Sequence, residues 1–320
     1  MSAVTASVVL YKTPRVQLVR LLECIRRSSI QVQLYVVDNS PHPQCPPYLN
    51  VSGVTYLRSP SNNGYGAGHN IALRQILSTS EFHFVLNPDI YFEPTELEKM
   101  LDFIMNDPSI GQLMPRVTYP DGSLQYLCKL VPAPADLFLR RFAFGPLKRW
   151  QRSRTERFEL RQSGYNKILN VPYLSGCFML FRTSALRKVG LFDERFFMYP
   201  EDIDITRRIH AHFRTVFYPS ATVVHDHARE SYKSFRALKV HVWNSIKYFN
   251  KWGWILDAQR ARFNRETMHE IALQSKSPSH AALENDPRDQ KTAASRQRRP
   301  DSRAVESPPA ASPRWERPAP

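Results

Sequence analysis

The feature that most restricts this chain is an alternation. Along about the first two thirds, short apolar runs take turns with helix-period segments, and most of those runs end in polar residues. ASVVLY (6–11) reads as a buried strand, and RVQLVRLLECIRR then repeats Leu18, Leu22 and Ile25 at helical spacing. VQLYVVDN, VTYLRS and FHFVLNPD read as further strands, and CFMLF and TVFYPSATVVHDH as later ones. HNIALRQIL and PTELEKMLDFIMND read as helices, the second opened by a Thr95–Glu98 capping box. Strand–helix alternation predicts an α/β fold with a mostly parallel sheet, whose ligands sit beyond the carboxyl ends of the strands. The polar ends to watch are therefore Tyr11-Lys12-Thr13, Asp38-Asn39 and Asn87-Pro88-Asp89.

The 320 residues carry a net charge of +15, which calls for anionic partners: nucleic acid, an anionic membrane surface or phosphorylated substrates. Four scattered cysteines form neither a zinc spacing nor a disulfide framework, so a reducing, cytosolic setting is expected. MSAVTASVVLY lacks the basic and apolar regions of a signal peptide, and no segment approaches the ~20 apolar residues of a membrane span. The segment 137–161 interleaves eight basic residues with Leu137, Phe138, Phe142, Phe144, Leu147 and Trp150. That pattern suits a membrane interface with anionic lipid heads, or equally a solvated basic helix packing its aromatics inward. No nucleic-acid module is visible, so no nucleic-acid partner is expected. The last fifty residues hold eight prolines and no glycine, and residues 266–320 are expected to be a disordered tail after a domain at 1–265.

SNNGYGAGHNIAL (61–73) sets Gly64, Gly66 and Gly68 ahead of a helix. It is not the G-x-G-x-x-G dinucleotide fingerprint: the sixth position is His69, and the stretch follows the third strand rather than the first. No Gly-Lys-Ser/Thr of a phosphate loop follows. Alone, it reads as a flexible loop whose glycines permit positive φ.

It does not stand alone. VVDNS, NNGYGAGHN, VLNPD, SGCFMLFR…GLFDERFFMYPEDIDITRRI and VVHDH occur in that order. Over about residues 5–255 this set resembles family 2 glycosyltransferases of the GT-A fold, a Rossmann-like nucleotide-diphospho-sugar transferase domain, and most of all the bacterial rhamnosyltransferase-like branch. The resemblance implies a loop, matched by Asn63, Gly64 and Asn70, whose glycines let backbone approach a nucleotide-sugar. It places Asp89 on a Mg²⁺ or Mn²⁺ ion. Asn87 stands where the family has a first acid, a departure that removes one charge. It sets Asp38 on a pyrimidine base, with Tyr11 and Thr13 near base and ribose. Asp38 alone reads as an Asx turn, and Asn-Pro-Asp alone as a turn.

The same resemblance makes Asp202, paired with Glu201, the general base for the acceptor hydroxyl. Carboxylates at a helix start also have a simpler reason, the positive end of the dipole. Asp193, in GLFDERFF, and Gly176, in the floor formed by SGCFMLF, fall near the acceptor. Arg207 or Arg208 would reach the diphosphate or lie as surface charge. His225 would touch metal or diphosphate, with His227 beside it at i, i+2. Cys177 has no base placed to activate it and reads as a buried small hydrophobe. The expected activity is inverting transfer, with L-rhamnose from dTDP-rhamnose first, from a dTDP- or UDP-linked donor to a lipid-diphosphate-linked saccharide. The expected place is the inner face of the cytoplasmic membrane, reached peripherally. Rivals are a catalytically silent scaffold of the same fold, a nucleotidyltransferase, which should carry a glycine-rich N-terminal loop absent here, and a Rossmann oxidoreductase.

Overall fold

Strand β1 (Val4–Leu10) is buried almost throughout, as its Val/Ala/Leu run requires. Helix α1 (Arg15–Arg27) buries Leu18, Leu21, Leu22 and Ile25 and closes on Arg26 and Arg27, cations at the negative end of its dipole. Strands β2 (Val32–Asp38) and β3 (Val54–Arg58) precede helix α2 (Tyr65–Ile76). Strands β4 (Phe82–Leu86) and β5 (Ile90–Tyr91) precede α3 (Thr95–Met105). The capping box is not formed: α3 starts after Pro94 without a side-chain cap, and Glu98 Oε1 accepts from Ser29 instead. Strand β6 (Ile110–Thr118) had no strand signal, because Gln112, Pro115 and Arg116 interrupt its apolar run. The computed structural model describes residues 4–42, 45–138, 147–226 and 235–276.

Beyond β6 come β7 (Cys128–Lys129), α4 (Pro134–Phe138) and α5 (Leu147–Phe158). Short strands β8 (Leu169–Asn170) and β9 (Tyr173–Leu174) lead to β10 (Phe178–Arg182). Helix α6 (Thr183–Val189) ends at Gly190, whose φ of 85° makes it the stop its position foretold. Helix α7 (Pro200–His210), strand β11 (Arg214–His225), α8 (Phe235–Trp252) and α9 (Ala258–Lys276) complete the order.

The main sheet runs β3-β2-β1-β4-β10-β6-β11-β5, with β8 beside β11. Pairing is parallel from β3 to β4 and between β6 and β11; β10 runs antiparallel between β4 and β6. Period-2 alternation divides the core between the two faces. On one face Phe82, Phe84, Leu86, Phe178 and Leu180 meet α1 and α3. On the other Val85, Met179 and Phe181 meet α2, α6 and α7. Burial on both faces explains why these strands read as continuous apolar runs.

The boundary expected at residue 265 moves outward. Helix α9 continues to Lys276, burying Phe263, Thr267 and Ile271, and Asn264 exchanges two hydrogen bonds with the Val131 backbone. The compact unit reaches Ser275. The tail beyond Lys276 lies outside the described residues. So do residues 139–146 of the basic aromatic segment. Of its described aromatics, Phe158 is buried and Phe138 stacks on Trp254, while Trp150 is half exposed. No helix among the described residues is long and apolar enough to cross a membrane.

Candidate active site

Register fixes which groups meet. Leu10 lies opposite Asp38, Val8 opposite Leu86, and Leu86 opposite Phe178. The carboxyl ends of β1, β2 and β4 therefore share one edge with the start of β10. His225, the last residue of β11, pairs with Ile90 just past Asp89.

At this edge Asp89 Oδ1 stands 3.3 Å from His225 Nε2 but has no hydrogen-bond partner, although it is buried. Gln125 holds the imidazole from behind: its Oε1 lies 3.0 Å from Nδ1, and its amide donates to the His225 carbonyl. Asn87 Nδ2 lies 3.4 Å from Nε2, and its backbone N–H donates to the Cys177 carbonyl at 2.9 Å. Burial alone works against protonating His225; the Cys177 side chain and Asp89 outweigh it and push the imidazole up to about 10. A buried carboxylate oxygen without a hydrogen-bond partner, beside an imidazole, fits a divalent cation once the imidazole gives up its proton, so binding there would compete with protonation of His225. No group of three or more His, Cys, Asp or Glu side chains that could hold a metal occurs among the described residues. A cation here would need phosphate oxygens and water to complete its shell.

The second cluster opens α7. Tyr199, at the N-cap, is held at φ 90°, a conformation L side chains rarely adopt, and Pro200 follows at the first helical position. Asp202 is buried. Its Oδ2 accepts the Gly176 N–H at 3.0 Å and lies 3.5 Å from the Tyr173 hydroxyl; its Oδ1 accepts the Ile203 N–H at 2.8 Å. Burial pushes Asp202 up to about 6, with Gly176 N–H and the Lys129 charge pulling the other way. Glu201 is raised well above the usual range by burial and then by the Asp202 charge, and its Oε2 has no partner. The two environments push the acids apart: backbone N–H groups favour an ionised Asp202, while burial and the Asp202 charge favour a protonated Glu201. Gly176 also accepts the Tyr65 hydroxyl on its carbonyl at 2.6 Å.

The third cluster is at β1 and β2. Asp38 accepts from Ser40 N–H (2.9 Å) and the Tyr56 hydroxyl (2.7 Å), so the Asx turn is real and both oxygens are engaged. Tyr11 is half exposed, Thr13 Oγ1 accepts its N–H at 3.2 Å, and Lys12 between them has φ 53°. Asn63 is exposed, and its backbone N–H donates to the Ser61 carbonyl at 3.1 Å.

Several anticipated residues do other work. Asn70 is buried, with both ends of its amide on the Phe192 backbone and its Nδ2 also on Glu194, so it braces the 192–194 turn and does not face a donor. The glycines of α2 make room for protein. A Cβ on Gly64 would lie 2.0 Å from the Phe197 carbonyl oxygen; Gly66 abuts Phe192 and Gly68 abuts Val9. Arg208 is spent on Asp204 and the carbonyls of Val189, Gly190 and Leu191, capping α6. Arg207 is fully buried against Asp257, Gln259 and Trp252. Neither reaches the edge as a free cation. Asp193 is clamped by Arg195 and Lys251, which hold it below the usual carboxylate range, and so it organises a turn. Cys177 is buried, and its side chain faces His225, whose protonated form it favours. His227 lies outside the described residues.

The reading of motifs missed Tyr65, Tyr173, Gln125 and Lys129. Tyr65 sat inside the glycine stretch and was legible there; nothing in the sequence around Gln125 ties it to His225, a hundred residues on.

A family model described as "Glycosyltransferase like family 2" matches residues 44–241. A Mycobacterium tuberculosis N-acetylglucosaminyl-diphospho-decaprenol L-rhamnosyltransferase is 31% identical over 207 residues, 61% of this chain and 64% of its own length. This chain thus spans less than two thirds of that relative. Escherichia coli rhamnosyltransferase WbbL is 25% identical, over 62% of this chain and 74% of its own. Among solved structures, the mannosyltransferase PcManGT of Pyrobaculum calidifontis, in complex with GDP-Man and Mn²⁺, superposes with a TM-score of 0.52 at 15% identity, covering 92% of this chain and 80% of that one. The S. aureus TarS 1–349 structure gives 0.51, covering 92% and 78%. These likenesses agree with the sheet order in giving the mixed α/β fold of the GT-A type. With its family model spanning well over half the residues, the chain belongs to glycosyltransferase family 2.

Proposed function

We propose that the protein transfers L-rhamnose, with inversion, from dTDP-rhamnose to a saccharide carried on a lipid diphosphate. The observation that carries this reading is Asp202: a buried carboxylate, kept ionisable by two backbone N–H groups, on the segment that packs against the edge holding Asp89 and His225. Asp202 takes the proton of the acceptor hydroxyl. The freed oxygen attacks the anomeric carbon while the bond to the nucleotide diphosphate breaks, the diphosphate leaving with the electron pair. Asp38 and the Tyr11–Thr13 turn hold the nucleoside end. Asp89 and, once deprotonated, His225 are the residues that would hold a Mg²⁺ or Mn²⁺, which would supply charge against the leaving diphosphate. The names of the M. tuberculosis and E. coli relatives support the sugar and the lipid-linked acceptor. Action at the inner face of the membrane, without a span, follows from that acceptor.

The test is thermal shift against dTDP, UDP, GDP, ADP and NAD, each with and without Mn²⁺, followed by transfer from dTDP-rhamnose to a synthetic lipid-diphosphate sugar. Metal-dependent stabilisation by dTDP, lost in Asp89→Ala, and transfer lost in Asp202→Asn are expected. Stabilisation by NAD without metal overturns the reading.

A further inference from the structure

Helix α8 presents a mixed face that the reaction above does not use. Trp243, Lys247, Asn250 and Lys251 follow one another at helical spacing, and Trp254, Ile255 and Leu256 come after the helix end, 40%, 85% and 92% exposed. A cavity of about 290 Å³ lies between this face and the Arg195–Phe196 turn, lined by Arg195, Phe196, Lys247, Asn250 and Lys251. Its lining has cations and no carboxylate. The anions behind it are already shared: Asp193 serves both Arg195 and Lys251, and Asp204 serves Lys251 and Arg208. Lys247 donates to the Arg195 carbonyl at 2.8 Å and makes no ion pair among the described residues. Arg195 and Lys251 are thus partly neutralised from behind, and Lys247 is the charge in this cavity that no ion pair offsets among the described residues.

The turn that forms this cavity runs directly into the carboxylate pair. Residues 195–199 lead to Glu201 and Asp202, and α8 grips them: Asn244 donates to the Met198 carbonyl at 3.0 Å, and the Tyr199 ring meets His241 edge-on at 5.2 Å. Large apolar side chains stand exposed around it, Met198 at 38%, Trp243 at 61% and Trp254 at 40%. A ligand matched to all of this has a phosphate head for the cavity and a hydrocarbon tail for the flanking aromatics, which belong at headgroup depth of a bilayer.

We infer that the Arg195–Lys247–Lys251 cavity is the seat of the lipid phosphate of a membrane-borne acceptor, and that the exposed face of α8 is the surface by which the protein meets the bilayer. This deepens the proposed function and rests on it for the identity of the acceptor. It also moves the membrane contact from the segment 137–161 to α8. Phosphate gripped here would be tethered to Asp202 through one short turn, so the sugar it carries would be presented to the base.

The experiment is co-sedimentation of the full chain with phosphatidylcholine vesicles carrying a polyprenyl diphosphate, or phosphatidylglycerol at equal charge. Lys247→Gln keeps a donor for the Arg195 carbonyl and loses only the charge. Asn250→Asp keeps the acceptor that Trp254 uses and adds an anion. The wild type should bind the diphosphate vesicles in preference, and inorganic pyrophosphate should displace it. Lys247→Gln should weaken this about fivefold, and the double variant more than about tenfold. Stabilisation by nucleotide is measured alongside as a check on folding and should not change. Undiminished binding by the double variant overturns the seat, and equal binding to phosphatidylglycerol vesicles overturns its preference for the acceptor phosphate. Failure of the wild type to respond to any nucleotide counts against the proposed donor, and leaves the lipid result to be read by itself.

Discussion

The backbone N–H of Gly176 donates to Asp202 Oδ2 at 3.0 Å, so a residue two positions before β10 aims the carboxylate at the start of α7. A Cβ at Gly176 would lie 3.2 Å from the Asp202 Cβ and 3.5 Å from the Tyr65 ring. Gly176→Ala must therefore push the Asp202 side chain, the proposed base, aside by a few tenths of an ångström. Transfer should fall about tenfold or more, since small misplacements of a catalytic group are costly. Nucleotide affinity should stay unchanged. A variant with full turnover would show that this hydrogen bond does not position the base.

Asp202 should set the acidic limb of the rate profile. As the proposed base, Asp202 would work only when ionised, and burial raises it to about 6, so kcat/KM should climb with pH and level off above that value. Asp202→Asn should cost about 10²–10⁴ in rate. Glu201, whose protonated form burial and the Asp202 charge both favour, should tolerate replacement by Gln with the limb unmoved. A limb near pH 4 in the wild type would contradict the buried placement of Asp202.

Gly64 should be intolerant of any side chain. Its φ is 101°, and an added Cβ would meet the Phe197 backbone at 2.0 Å, which cannot give way as a flexible side chain would. Gly64→Ala should destabilise by at least about 2 kcal/mol, read by urea unfolding. Gly122, also at positive φ but with open space around it, should lose far less.

His83 predicts an acid-sensitive core. It is fully buried between the Thr5 and Ser7 hydroxyls, at 2.7 and 2.8 Å, and burial lowers it from 6.5 to about 3. The unfolded chain takes up this proton first. Stability is therefore complete above about pH 6.5 and is lost as pH falls toward 3. Between pH 7 and 5 this one histidine should remove about 2 kcal/mol, and His69, lowered for the same cause, adds to it. Urea midpoints at the two pH values, compared with His83→Gln, test this; an unchanged slope in the variant would show that His83 is not the group responsible.

The strands of the parallel half were legible because burial on both faces leaves an unbroken apolar run, as in VVDN and FVLNPD. Strand β6 was not, because Gln112 and Pro115 are tolerated by position within the sheet rather than by composition. Helix α9 hid for a related reason, burying only Phe263, Thr267 and Ile271 along nineteen residues. At the site, acids next to strand ends and at a helix start were readable: Asp89 and Asp202 both lie where the motifs put them. Asn70, Asp193 and Arg208 carry the same polar signal yet are consumed by Phe192, Arg195 and the α6 carbonyls. Only the partners, set by tertiary contact, distinguish the two cases.

The place of β10 has a consequence for how the molecule is made. Strands β4 and β6 are not neighbours; each pairs with β10, which comes about sixty residues after β6. Until Phe178–Arg182 docks, the middle of the sheet is a gap with two unpaired edges, Phe82–Leu86 among them, open to wrong partners. Closing it joins segments far apart in the chain, which is slow. A chain emerging from the ribosome thus completes its parallel half early, waits for its central strand, and acquires its Gly176–Asp202 contact only after that strand is in place.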